Sequence, residues 1–111
     1  MKTPVRLRRD GPFRWTAVRE GKELGLALCG PDGEIRELSV LPQHRRHGIG
    51  RCLVRAVISD LLRAGVGSMR MTASEDSGKA FCESLGGRDL GGGAYGWTDL
   101  KTVAKCAEKS S

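Results

Sequence analysis

The sequence predicts an α/β fold with a mixed sheet built around a β-α-β crossover. Residues 34–41 have the composition of a strand, residues 48–64 place apolar side chains at helical spacing, and residues 67–73 alternate again as a strand. A helix between two strands of one sheet is the usual crossover connection, so these two strands should run parallel.

Two strands and a hairpin are predicted before the crossover. Residues 13–18 alternate apolar or aromatic with polar side chains and stop at a Glu-Gly-Lys turn, and residues 24–29 follow as a second strand. The segment 30–33, Gly-Pro-Asp-Gly, combines a proline that fixes φ with a final glycine that accepts positive φ. This turn predicts a β-hairpin between residues 24–29 and the strand at 34–41.

The second half of the chain predicts a shorter helix and a further hairpin. Gly65 stands where a left-handed residue ends the long helix. A second helix is predicted over residues 77–85, with Ala80, Phe81 and Leu85 facing inward and a glycine pair ending it. Residues 90–100 indicate a β-hairpin with a glycine tip, and residues 101–111 read as a polar tail.

Length and composition indicate one globular domain over residues 1–111, with its core in residues 13–100. The chain is 39% apolar and 29% charged, which excludes a disordered chain. No apolar run approaches the roughly 18 residues needed to span a bilayer, and no secretory signal pattern is seen. The four cysteines are widely spaced, which favours reduced thiols and a cytoplasmic protein without a membrane segment.

The net charge of +6 indicates an anionic ligand or partner. Nucleic acid, an acidic membrane surface and a polyanionic cofactor all suit this charge. A nucleic-acid-binding domain ranks last, because neither a recognition-helix pair nor a sheet of stacking aromatics is evident. Arginines cluster around residues 45–51, and this favours a localised anion.

That cluster contains a motif typical of an anion cradle. Arg45-x-x-Gly48-x-Gly50 joins a strand to the first turn of the long helix, where backbone N–H groups and the helix dipole attract phosphate. A purely structural glycine turn remains the alternative, since such glycine pairs are common. His44 and His47 near Cys52 could suggest zinc, but no further ligand has suitable spacing, and no metal site is predicted.

These residues resemble the GNAT superfamily of N-acetyltransferases. The resemblance rests on strand residues 38–40, Pro42, the run 45–50 and the helix after it, and on Ala-Phe-Cys-Glu-Ser-Leu-Gly at 80–86, which is similar to the family's penultimate helix. It implies a mixed, mostly antiparallel sheet in which acetyl-CoA, as co-substrate, lies between strands 34–41 and 67–73. The cofactor-binding residues it implies are Val40, Arg45, Arg46, His47, Gly48, Ile49, Gly50 and Arg51.

The activity implied is direct transfer of an acetyl group to a primary amine, with the Val40 backbone bonding the pantetheine or the thioester carbonyl. A base is needed for the ammonium and an acid for the leaving thiolate. On a regular strand Glu34 shares a face with Val40 and is the candidate base, whereas a bulge would bring Glu37 instead. Cys82 stands where the family commonly has its tyrosine acid; a small buried hydrophobe is the alternative reading, and Tyr95 is a remote substitute.

The resemblance also departs from the family before the first strand, where no N-terminal helical pair fits. An acceptor site without these helices is expected to be open to a large acceptor, or to be completed by a second copy in a homodimer or by a protein partner. Arg36 in the predicted strand favours an acidic or neutral acceptor. The second functional class is a non-catalytic acetyl-CoA-binding regulator that acts on a protein partner, supported by the missing tyrosine.

Overall fold

The computed structural model describes residues 4–44 and 48–101. Within these residues seven strands form one sheet in the order β1-β2-β3-β4-β5-β7-β6. No helix in these ranges is long and apolar enough to cross a membrane. The elements are β1 (Arg6–Gly11), β2 (Arg14–Arg19), β3 (Lys22–Cys29), β4 (Glu34–Val40), a short 3₁₀ helix (Pro42–His44), α1 (Ile49–Arg63), β5 (Met69–Thr72), α2 (Asp76–Ser84), β6 (Arg88–Gly91) and β7 (Ala94–Trp97).

The predicted α/β architecture is confirmed. The unit β4-α1-β5 is the expected crossover with parallel strands, and every other pair of neighbouring strands is antiparallel. The sequence did not predict β1, which carries three arginines and an aspartate and forms an edge of the sheet. The inward position expected for Ala80 is wrong, because on α2 the buried residue is Cys82, with Leu85 buried just after it.

One face of the sheet carries α1. Leu53, Val57 and Leu61 of this helix are fully buried in the core, and α1 packs against β2, β3 and β4. Buried Asp60 fixes the helix to the first two strands: its carboxylate accepts hydrogen bonds from Arg9 Nη2 at 2.6 Å and from Trp15 Nε1 at 2.9 Å. The Arg9 guanidinium also lies over the Trp15 ring, 4.7 Å from its centroid.

Strand β4 contains a bulge at Arg36. Its register against β3 passes from Leu28–Glu37 to Cys29–Ile35, so β4 has one residue more than β3 over this step. The exposure pattern agrees, since Ile35 is buried and the next two residues are both exposed. Beyond the bulge, half-buried Leu38 and Val40 face α1 while Glu37 faces away.

Strands β4 and β5 are held together over a very short length. The parallel pairing consists of Glu34 with Arg70 and Ile35 with Met71. Gly33 stabilises this end, because its carbonyl accepts a hydrogen bond from Arg70 N–H at 2.9 Å. Its φ is +88°, and a Cβ there would collide with the backbone oxygen of Ser68. The strands therefore meet only where β4 begins.

We expect Gly33→Ala to destabilise the protein more than Gly21→Ala. Both glycines have positive φ, but a Cβ at Gly21 meets nothing within 4 Å. The strained backbone should cost about 1 kcal/mol at either site, and overpacking against Ser68 should add about 1–3 kcal/mol at Gly33 alone. Urea unfolding of both variants measures the difference. Equal losses would show that the close approach of Ser68 to residue 33 adds no cost, which would contradict the expectation.

Candidate functional site

A gap opens between β4 and β5 beyond their two paired positions. Leu41 N–H donates to Leu24 O in β3 at 2.8 Å. Because backbone groups alternate along a strand, the Val40 N–H and C=O point away from β3, toward the side of the gap. The main-chain N–H and C=O groups at the carboxyl end of β4 thus point toward the side on which β5 is no longer paired.

The first turn of α1 lies at the same end of β4. Gly48 precedes the helix with φ 78°, no side chain among the described residues caps this end, and the first turn carries no acidic residue. The first helical bond runs from Cys52 N–H to Gly48 O at 3.1 Å, so the N–H groups of Ile49 and Gly50 have no acceptor within the helix. Among the described residues, a Cβ at Gly48 would meet nothing within 4 Å, and an N-terminus with unpaired N–H groups attracts anions.

Gly50 has a second role, in packing. A Cβ there would lie 3.2 Å and 3.3 Å from two ring carbons of Phe81 on α2. This is tighter than ordinary contact, so the glycine lets the aromatic ring rest against the first turn of α1. The same residue therefore links both helices beside the gap, and steric need explains it as well as ligand approach does.

The structure brings the predicted cofactor residues together where it describes them. A Cβ at Gly25 would lie 3.2 Å from Val40 Cγ2 and 3.4 Å from Leu53 Cδ1 of α1. The carboxyl end of β4 therefore packs against the helix. Gly48, Ile49, Gly50 and half-buried Arg51 begin that helix. The predicted residues Arg45, Arg46 and His47 lie outside the described residues.

Metal ligands are not gathered in the part of the chain that the structure describes. No group of three or more His, Cys, Asp or Glu residues there could hold an ion. His44 ends the short 3₁₀ helix, half-buried, and its proposed companion His47 lies outside the described residues.

The bulge changes where the candidate bases point. The expectation that Glu34 shares a face with Val40 is wrong, because the extra residue at Arg36 reverses the alternation between them. Glu34 and Glu37 are both exposed on the face away from α1. The Arg36 guanidinium folds back over Gly30, with Nη2 2.9 Å from where a Cβ would stand there.

Cys82, the predicted acid, is fully buried in the core. Burial raises the pKa of its thiol to about 11, so the group stays protonated at neutral pH. Tyr95 is also buried, and burial raises the pKa of its phenol. Its hydroxyl donates to Glu83 Oε1 on α2 at 3.3 Å. The catalytic role of Cys82 stays a prediction, and core packing accounts for its position.

A groove on the face of the sheet away from α1 was not foreseen from the sequence. It has a volume of about 330 Å³ and lies over the beginning of β4 and β5 and over the last hairpin. Glu34 is among its lining residues, together with Arg70, Arg88 and Leu90. These side chains line one groove because β7 lies between β5 and β6. Local sequence patterns do not predict the order of strands in a sheet, so the groove could not be predicted from them.

A family model described as the acetyltransferase (GNAT) domain matches residues 12–86. The chain belongs to the GNAT acetyltransferase family. The matched stretch runs from the turn before β2 to the end of α2 and so contains the β4-α1-β5 unit with its gap. The resemblance drawn from residues 38–50 and 80–86 is confirmed.

Individual relatives agree with the family and extend beyond this chain. The mycothiol acetyltransferase of Corynebacterium efficiens is 44% identical over 50 residues, which are 45% of this chain and 16% of that protein. An acetyltransferase of the GNAT family from Brucella melitensis, solved with acetyl-CoA, superposes with a TM-score of 0.60 at 20% identity over 77% of this chain and 56% of its own. The ribosomal-protein alanine N-acetyltransferase from Escherichia coli gives a TM-score of 0.60 at 22% identity, and the match covers 80% of this chain and 68% of that one. The two solved structures share the fold.

We expect iodoacetamide to label Cys52 well before Cys82. Cys52 is half-buried, whereas Cys29 and Cys82 are buried with thiol pKa values raised to about 11, so they offer little thiolate and little access. The test uses the Cys106→Ser variant at pH 8, read by mass spectrometry of digested protein. Labelling of Cys82 as fast as Cys52 would show that its thiol reaches solvent, as an acid in the site must.

Proposed function

We propose that the chain is an acetyl-CoA-dependent N-acetyltransferase that passes an acetyl group to a primary amine by direct attack. The observation that carries this proposal is the short pairing of β4 with β5: the strands pair at only two positions and then separate beside the first turn of α1, which no described side chain caps. Backbone donors on two elements then face one elongated space. Such a space suits a ligand with a pyrophosphate at one end and an amide-rich arm.

The described residues fit acetyl-CoA by their donors and by their lack of bulk. The N–H groups of Ile49 and Gly50, reinforced by the helix dipole, would hold the pyrophosphate. Gly48 leaves the approach clear. The Val40 backbone, aimed at the gap, would bond the pantetheine arm. When bound, acetyl-CoA supplies an acetyl group activated as a thioester.

Glu34 is the proposed general base. It is exposed, it belongs to the short segment of β4 that pairs with β5, and it lines the groove on the outer face, where an acceptor can enter without displacing α1 or α2. A carboxylate there attracts an ammonium and takes up its proton, which frees the nitrogen lone pair for attack. Glu37 shares this face, but it does not line the groove.

A second candidate function is favoured by one observation, the burial of Cys82. The residue at the family's tyrosine position is a core thiol, so the acid that usually protonates the leaving sulfur has no exposed counterpart at this position. A non-catalytic regulator that binds acetyl-CoA and acts on a protein partner would need no such acid. Binding of acetyl-CoA without turnover across a library of amines would favour this alternative.

We expect Gly48→Ala to weaken acetyl-CoA binding and Gly65→Ala to leave it unchanged. The two glycines flank α1 with φ 78° and 81°, and a Cβ at either meets nothing within 4 Å. The backbone cost is thus matched, and Gly48 alone adjoins the proposed anion site. Thermal-shift titration should show roughly tenfold weaker binding for Gly48→Ala; at about 100 times the dissociation constant the wild type should gain about 2.7 kcal/mol. Equal affinities in both variants would contradict this site.

We expect Glu34→Gln to slow acetyl transfer by about 100-fold or more while acetyl-CoA affinity stays within about twofold. The reason is that the amide cannot accept the proton. Released CoA should be measured by chromatography, since thiol reagents would also react with the four cysteines of the chain. Glu37→Gln is the matched comparison; a loss there and not in Glu34→Gln would assign the base to Glu37 and refute the present assignment.

A further inference from the structure

The groove on the outer face contains a row of charged side chains set by strand register. Glu34 of β4 pairs with Arg70 of β5, Arg70 pairs with Gly96 of β7, and Arg88 of β6 pairs with the same Gly96. Residues opposite one another in a sheet present their side chains on one face. The two arginines therefore flank a position that has no side chain.

Gly96 forms the floor between them. A Cβ there would lie 3.1 Å from Leu90 Cδ1 and 3.8 Å from Arg70 Cγ. The space above the glycine is thus bounded by the Arg70 stem on one side and by Leu90 on the other. Leu90 is 51% exposed, unusual for a large apolar residue in this protein, and it offers an apolar contact beside the two cations.

The charges of Arg70 and Arg88 are not used within the described part of the chain. Both side chains are exposed, and the ion pairs and side-chain hydrogen bonds found there involve other arginines, namely Arg8 and Arg9. Two guanidinium groups across one glycine suit a single carboxylate, which has lone pairs enough to accept from both.

We propose that this groove binds the carboxylate of the acceptor between Arg70 and Arg88. The inference rests on the proposed function, because Glu34 at the other end of the row is the proposed base for the acceptor amine. Neighbouring strands are about 4.8 Å apart, so the backbones of Glu34 and Gly96 lie about 10 Å apart across two strand spacings. The acceptor class is then an amine whose carboxylate lies about 10 Å away, as in an extended tripeptide with an apolar C-terminal side chain on Leu90.

The test compares the tripeptide glycyl-glycyl-leucine with its C-terminal amide, which keeps the amine and the shape but lacks the carboxylate. Binding is followed by NMR through the Gly96 amide and the arginine Nε–H signals, without any need for turnover. We expect the acid to shift these signals and the amide to bind roughly tenfold more weakly. Equal affinity of acid and amide, or no shift at Gly96 with the acid, would overturn the proposal.

Matched variants assign the effect to the two arginines. Arg70→Gln and Arg88→Gln should each lose most of the preference for the acid, whereas Arg6→Gln, the same charge change on β1 at the opposite edge of the sheet, should keep it. A preference unchanged in both groove variants would overturn the proposal.

The experiment separates this proposal from the proposed function. Acetyl-CoA binding is measured in the same variants by thermal shift and should be unaltered by Arg70→Gln or Arg88→Gln. If the wild type fails to bind acetyl-CoA, the proposed function fails, but the preference for the tripeptide acid over its amide can still be measured by NMR. In an active enzyme, the groove variants should raise KM for the tripeptide acid with little change in kcat.

Discussion

The short parallel contact between β4 and β5 is the constraint on which the rest of the site depends. Two paired positions hold the strands at one end, and the bulge at Arg36 follows immediately in β4, where an inserted residue bends a strand. A regular strand would continue the ladder and close the gap. The glycine at position 33 makes the contact feasible, because the backbone of Ser68, just before β5, approaches it too closely for any side chain.

The two faces of the sheet have separate tasks as a result. One face buries α1 and α2 and carries the core, and buried Asp60 ties the helix to the arginine and tryptophan of the first two strands. The other face carries the charged row from Glu34 to Arg88 and no helix in the described ranges. Under the proposed function, the thioester is held from the helix side of the gap and the amine arrives from the outer face.

Local patterns were enough to predict the crossover and the hairpin turn at 30–33, since each depends on neighbouring residues. Anion binding at the first turn of α1 stays a prediction. The strand β1 was missed because it lies at an exposed edge, where Arg8 pairs with Asp10 and Glu23 and no apolar alternation is required. The prediction that Glu34 shares a face with Val40 was wrong because the inserted residue at Arg36 reverses the alternation of side chains along β4. The groove at Gly96 depends on the order of β5, β7 and β6, which only tertiary structure establishes.

The most direct test of the central claim is an NMR titration of the wild-type chain with acetyl-CoA, read at the backbone amides. We expect the largest shifts at Val40, Gly48 and Gly50, with little change at Gly21 and Gly65. A saturable response confined to these amides would place the ligand in the gap between β4 and β5. Saturable binding that leaves the amides of the gap and of the first turn of α1 unmoved would contradict the account.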